Sequence, residues 1–226
     1  MINQTAILIF ANSAQKEVER KSFLSMDVFS ALNSQIIKTV KKTRLPYFHF
    51  SEEEQIGDNF GERFSNAIES IFDKGFTNVI TIGNDTPHLK ASHLLETSKK
   101  LQKNDLVLGP SKNGGFYLMG IKKSHFNKET FLKLPWQTAK LHKSISKITS
   151  SKKLIVSFLE ILKDINIKED IKAILNSFRA ISISLLHLLQ QLIFTTKTIS
   201  TPVKIDISKI SFSQNFNKGS PFIFVQ

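Results

Sequence analysis

The stretch from residue 79 to residue 118 constrains the fold most, because it strings together a buried strand, an acidic turn, a helix, a second strand and a glycine hinge. Val79-Ile80-Thr81-Ile82 is a short apolar run that leads straight into Gly83-Asn84-Asp85-Thr86-Pro87-His88-Leu89. An apolar strand that stops at a carboxylate, with a proline starting the next element, places Asp85 at the carboxyl end of a strand in an open α/β sheet. Ligands of such sheets bind at that edge. Leu106-Val107-Leu108-Gly109-Pro110 repeats the pattern and runs into Asn113-Gly114-Gly115-Phe116-Tyr117-Leu118-Met119-Gly120. Paired glycines let the backbone approach a ligand closely before a further strand begins.

The same alternation extends along the chain. Strands are expected at about 5–10, 45–50, 78–82, 105–108, 115–121 and 153–158, and helices at about 23–40, 58–74, 88–101, 137–149 and from 164 to about 177. In the helix at 58–74, Phe60, Phe64, Ala67, Ile68, Ile71 and Phe72 recur at helical spacing. Such alternation builds right-handed crossovers around a mostly parallel sheet.

Taken in order, Gly61-Glu62-Arg63-Phe64, Gly75, Gly83 to Leu89, and Gly109-Pro110 to Gly120 resemble a known pattern. It is that of the bacterial glycosyltransferase-like family of selenodomain-associated or arsenosugar-type transferases, within the nucleotide-diphospho-sugar transferase superfamily. That pattern reads roughly G-E-R, then G-x-D-x-P-x-L, then G-P-x-x-D-G-G-Y-Y-L-x-G, and the resemblance covers about residues 5 to 175. It implies a GT-A-type, Rossmann-like three-layer α/β fold with a mostly parallel central sheet. It also implies a site for a nucleotide or nucleotide-sugar, a divalent cation, Mg²⁺ or Mn²⁺, and a small-molecule acceptor that the sequence does not identify.

Carried over residue by residue, the resemblance makes Asp85 the metal ligand and catalytic carboxylate, within Gly83-Asn84-Asp85. It puts Glu62 and Arg63 on the nucleotide side, and Gly114, Gly115 and Tyr117 on the acceptor side. Two departures stand out. Asn113 occupies the place of the family's aspartate before the paired glycines, and Asn166 replaces another in Asp164-Ile165-Asn166-Ile167-Lys168-Glu169-Asp170, which resembles the family's D-V-D-T-x-E-D-L ending. The loop after strand one, Asn12 to Phe23, lacks the family's proline and glycine and keeps positive charge only at Lys16, Arg20 and Lys21, the candidate phosphate contacts. Lys42-Thr43-Arg44-Leu45 matches part of the family's basic loop but follows a helix and leads into strand two, which marks it as a chance recurrence.

Each candidate also has a plainer explanation. Asp85 suits the N-cap of the helix that Pro87 announces. Gly114 and Gly115 suit a tight turn, and Arg63 a surface ion pair. Trp136, after Pro135, either belongs to the core or covers a base or sugar. The expected activity is therefore a metal-dependent, glycosyltransferase-like transferase. The alternatives are a nucleotidyltransferase acting on a phosphorylated acceptor and a catalytically degenerate relative that only binds.

Composition narrows the setting. The 226 residues suit one domain, expected at 1–177, with an extension over 178–226. Without cysteine there are no disulfides, thiolate metal sites or thiol nucleophiles. A net charge of +12, from 31 Lys and Arg against 19 Asp and Glu, raises nucleic acid as a partner. The lysines are dispersed, however, and with two Tyr and one Trp no basic stripe interleaves with aromatics, which disfavours it. Ala6 to Phe10 is too short for a signal core, and the apolar run Ile181 to Phe194 contains His187, Gln190 and Gln191 and falls short of a membrane span. The expectation is a soluble, cytoplasmic protein. Ile181, Leu185, Leu186, Leu189 and Ile193 would line one face of a helix that packs on its own domain or against a second copy.

Overall fold

The computed structural model describes residues 4–195. Six strands form one sheet: β1 (Thr5–Phe10), β2 (Tyr47–Phe50), β3 (Asn78–Ile82), β4 (Leu106–Pro110), β5 (Phe116–Lys122) and β6 (Val156–Phe158), in the order β2-β1-β3-β5-β4-β6. β1 pairs in parallel with β2 and β3, and β4 with β6. β5 alone runs antiparallel, to both β3 and β4. The mostly parallel sheet expected from the βα alternation is present.

The apolar runs explain the layers. Successive strand residues face opposite sides, so Ala6, Leu8, Val79, Leu106, Leu108, Met119 and Ile121 join one core cluster. Ile7, Ile9, Ile80, Ile82, Val107 and Leu118 join another across the sheet. The first face is covered by α3 (Phe60–Asp73), α5 (Lys128–Leu132) and α6 (Leu141–Ser151). α3 starts where the Asn59 side chain accepts from the Glu62 amide, and it buries Phe64, Ala67, Ile68, Ile71 and Phe72. The other face is covered by α2 (Met26–Lys41) and α4 (Ala91–Lys100). Each fully buried aliphatic or aromatic side chain contributes about 1.5–3 kcal/mol, so these two clusters hold the sheet in place.

Two helices were not expected. α1 (Ala14–Arg20) is only seven residues long and starts at Ser13, whose hydroxyl accepts from the Lys16 amide. Its sequence carries too few apolar positions for a helical pattern. α5 is five residues long and is capped in the same way by Asn127. The helix expected at 23–40 is therefore α2 preceded by a separate α1. Between β4 and β5 the Gly109 backbone lies against the Tyr117 ring: a Cβ at Gly109 would lie 2.5 Å from that ring, so any larger residue would force the buried ring to move.

α7 (Lys168–Leu175) and α8 (Ile183–Thr195) complete the described chain. α8 packs on α2 and α7, with Leu185 and Leu189 fully buried among Val28, Phe29, Leu32, Ile171 and Ile174. The apolar tail helix thus packs on its own domain, outside the sheet. Among the described residues, no helix is long and apolar enough to cross a membrane. The closing apolar run Pro221 to Val225 lies outside the described residues.

The division expected at residue 177 is testable. A chain ending at Asn176 should keep the circular-dichroism signature of the sheet while melting lower and binding an apolar dye, and Leu189→Ala should cost about 2–5 kcal/mol in denaturant unfolding. Failure of the shortened chain to fold at all would make residues 178–195 part of the core.

Candidate functional site

β1 connects through α1 and α2 to β2 on one side of the sheet, and β3 connects through α4 to β4 on the other. The chain therefore diverges at the carboxyl ends of β1 and β3, which is the switch point where open α/β sheets bind ligands. A cleft of about 1010 Å³ opens there. Its floor is formed by Ala11 and Asn12 after β1, Gly83, Asn84 and Asp85 after β3, and Ser111 and Gly115 from the β4–β5 loop.

Most of the residues singled out from sequence meet in this cleft. Lys16, Arg20, Lys21, Arg63, Gly83, Asn84, Asp85, Asn113, Gly115, Tyr117 and Trp136 all line it. Glu62 and Gly114 are absent from its lining. Glu62 is occupied at the start of α3, where its carboxylate accepts from the Asp58 amide at 2.8 Å and the Asn59 side chain at 2.8 Å. Gly114 supplies a left-handed turn residue, φ +84°, inside the Ser111–Gly115 loop. The Lys42-Thr43-Arg44-Leu45 stretch forms the turn from α2 into the amino end of β2, away from the carboxyl edge that bears the cleft.

Asp85 is no helix cap. α4 begins at Ala91 with Lys90 as its N-cap residue, and Thr86 to Leu89 make a separate turn. The Asp85 carbonyl accepts from the Ile165 amide at 2.9 Å. Its carboxylate faces Lys21, whose Nζ lies 2.8 Å from Oδ2 and donates at 2.7 Å to the carbonyl of Ile165. Lys21, the residue that ends α1, thus ties three segments together.

Beside this pair sits Asp164, 9% exposed, which accepts from the Thr86 hydroxyl at 2.6 Å. Burial, with the nearby Asp85 charge second, pushes its carboxyl up to about 7. In the sequence Asp164 stands out only as part of a family-like ending. Its contact with Thr86 spans 78 residues of chain, which no local pattern discloses.

The rest of the cleft divides by polarity. One wall is aromatic: Trp136 packs on Phe60, Phe64 and Phe131 at 5.6, 5.0 and 5.9 Å, and its indole N–H donates to the Phe131 carbonyl at 2.7 Å. Trp136 therefore belongs to the core and presents one edge to the cleft. Tyr117 is buried, and its hydroxyl donates to the Glu160 carbonyl at 2.9 Å. Burial raises the ionisation of that phenol far above its usual range. Asn84 is fixed by a 2.7 Å bond from its amide to Asn33.

The charged lining is balanced, with Lys16, Arg20, Lys21 and Arg63 against Glu17, Glu52, Asp85, Asp164 and Asp170. The chain's basic excess therefore lies outside the cleft. Most of these carboxylates are engaged: Glu17 with Arg20 at 3.0 Å and Asn12 at 2.7 Å, Glu52 with the Ser13 amide at 2.7 Å, and Asp170 with Lys163 at 2.8 Å. Arg63 is held only by a long 3.5 Å contact to the Asp58 carbonyl. That leaves its guanidinium available to an anion.

These residues do not fit a bound divalent cation. Among the described residues there is no group of three or more His, Cys, Asp or Glu side chains placed to hold a metal ion. The one carboxylate expected to coordinate it, Asp85, already faces an ammonium. Asn113, at the position where the resemblance calls for an aspartate, is exposed on the β4–β5 loop. The metal role expected of Asp85 thus finds no support in this geometry.

The architecture is similar to that of solved nucleotide-diphospho-sugar transferase-like proteins. A crystal structure of a candidate nucleotide-diphospho-sugar transferase from Desulfovibrio desulfuricans superposes with TM-score 0.69 at 19% identity, covering 87% of this chain and 98% of that one. The 4-diphosphocytidyl-2C-methyl-D-erythritol synthase of Anaerococcus prevotii superposes with TM-score 0.52 at 10% identity, covering 83% and 96%. At these identities the likeness concerns the fold alone. Residues 21–138, just over half of the chain, match the family model described as "Uncharacterized protein conserved in bacteria (DUF2064)", and the chain belongs to that family. No curated protein matches it. A Mycobacterium tuberculosis protein crystallised with manganese superposes with a TM-score of 0.47 at 11% identity, covering 77% of this chain and 99% of that one, too remote to carry its metal across.

The Asp164 environment makes a pH prediction. A carboxyl raised from 3.8 to about 7 on folding is undisturbed below pH 3.8, and the stability it leaves in place is lost as pH rises through about 7. His88, lowered by burial, acts in the opposite sense near neutrality, so the difference between variants isolates Asp164. Asp164→Asn should gain thermal stability relative to the parent between pH 5 and pH 8, and each 1 kcal/mol would appear as about 2–4 °C in Tm. A constant difference across that range would mean that Asp164 is not raised.

Proposed function

We propose that the cleft binds a nucleotide and that the protein is a transferase acting on a nucleotide-activated substrate, a nucleotide-sugar in the first instance. The carrying observation is the convergence, at the β1/β3 switch point, of cationic donors from α1 and α3 with an aromatic wall. The apolar edge of Trp136 and Phe60 suits the face of a base or sugar. Arg20, Lys21 and Arg63 suit the phosphates, the two arginines by their planar forks and the lysine as a point charge. Asn113 to Gly115, on an exposed loop at the mouth, suits the acceptor.

In glycosyl transfer, a nucleophilic atom of the acceptor bonds to the sugar's anomeric carbon and gives up its proton to solvent, while the bond from that carbon to the diphosphate oxygen breaks and its electron pair moves onto the diphosphate. Cationic donors fixed beside that oxygen lower the barrier most when they need no reorganisation. Lys21 meets that condition, because two of its hydrogen bonds fix it to Asp85 and Ile165.

A thermal-shift screen of nucleoside diphosphates, nucleoside triphosphates and nucleotide-sugars tests the reading. A ligand at about 100 times its Kd stabilises by about 2.7 kcal/mol, so a true ligand should raise Tm by roughly 5–10 °C. Arg63→Ala should weaken it about tenfold while leaving the unliganded Tm unchanged. Release of nucleoside diphosphate from a nucleotide-sugar marks glycosyl transfer, and pyrophosphate from a triphosphate marks nucleotidyl transfer. No shift with any nucleotide would contradict the proposal and favour a relative that has lost the site.

A further inference from the structure

We infer that Lys21 holds the place of the divalent cation in this site, so that the cleft takes a nucleoside diphosphate without metal. The inference rests on the nucleotide reading above and concerns how the same cleft neutralises the diphosphate.

The Lys21 ammonium lies between a carboxylate and a carbonyl, 2.8 Å from Asp85 Oδ2 and 2.7 Å from the Ile165 oxygen. These are the hard oxygen donors that a magnesium or manganese ion takes. Here they already surround a positive charge whose side chain is 13% exposed. A metal ion entering between them would have to displace the ammonium and leave it, half-buried, beside a double charge. Both the lost partners and the like-charge repulsion oppose that exchange.

The neighbouring groups give a metal little compensation. Asp164 is buried and has one oxygen, Oδ1, engaged by the hydroxyl of Thr86. Asn113 stands exposed with a neutral amide on the loop across the cleft. The ammonium, by contrast, is ready for a phosphate. It carries three N–H donors, of which Asp85 and Ile165 take two, leaving one for a phosphate oxygen at the cleft surface that Lys21 lines. The single charge of Lys21 is half that of a metal ion, and Arg20 and Arg63, on the same cleft, supply the remainder.

Calorimetric titration of the full chain with ADP, CDP, GDP and UDP, each in EDTA and in manganese chloride, tests this. At least one diphosphate should bind in EDTA, with an affinity that manganese changes by less than about threefold. In EDTA, Lys21→Met should weaken that binding by about tenfold or more. Asp85→Asn removes a carboxylate that a metal would require but leaves the ammonium in the cleft, so it should bind within about threefold of the parent in EDTA. The parent titrations and Asp85→Asn decide the matter even if Lys21→Met fails to fold. Binding seen only with manganese, or unaffected by Lys21→Met in EDTA, overturns the inference and leaves the nucleotide reading standing. Absence of binding in every arm overturns both.

Discussion

The constraint on which the molecule depends is the parallel pairing of β1 with β3 in the middle of the sheet. Thr5 to Ile9 align with Asn78 to Ile82 residue for residue, and both strands are buried on both faces. Strands so enclosed need a helical layer on each side, and the connections to those layers must leave from the same edge. Because β1 goes on toward β2 on one side while β3 goes on through α4 toward β4 on the other, the two exits part. The gap between them is the cleft. The site is thus a consequence of strand order, and its side chains are those that stand at the strand ends.

The second organising contact is Lys21 with Asp85 and Ile165. It joins the end of α1, the turn after β3 and the segment before α7, three pieces far apart in sequence. A partly buried ion pair contributes little net stability once desolvation is counted, but removing one partner strands the other. Its weight therefore lies in fixing the shape and charge of the cleft floor. With the lining close to electroneutral, the positions of individual cations decide where an anion can sit, and the protein's overall basic charge does not.

What the sequence discloses and what it conceals follow from the range of the interactions. Val79 to Ile82 is legible to the residue because every position is apolar or buried, and a four-residue apolar run ending at Gly83-Asn84-Asp85 has few other readings. Asp85 and Asn84 reach the cleft for that reason. α1 was hidden because Ala14 and Val18 are its only apolar residues, and capping by Ser13 is a local bond that competes with many turns. Glu62 misled because the same carboxylate serves a helix start as well as a ligand, and here it serves the helix. The antiparallel course of β5 and the burial of Asp164 against Thr86 depend on long-range packing, on which local periodicity is silent.

The claim that the β1/β3 cleft is a nucleotide site is tested most directly by mapping backbone amide chemical shifts while nucleoside diphosphates are titrated into isotope-labelled protein. The account predicts that the largest changes cluster at Asn12, Lys21, Gly83 to Asp85, Arg63 and Gly115. Changes confined to another surface, or none at saturating nucleotide, would contradict it.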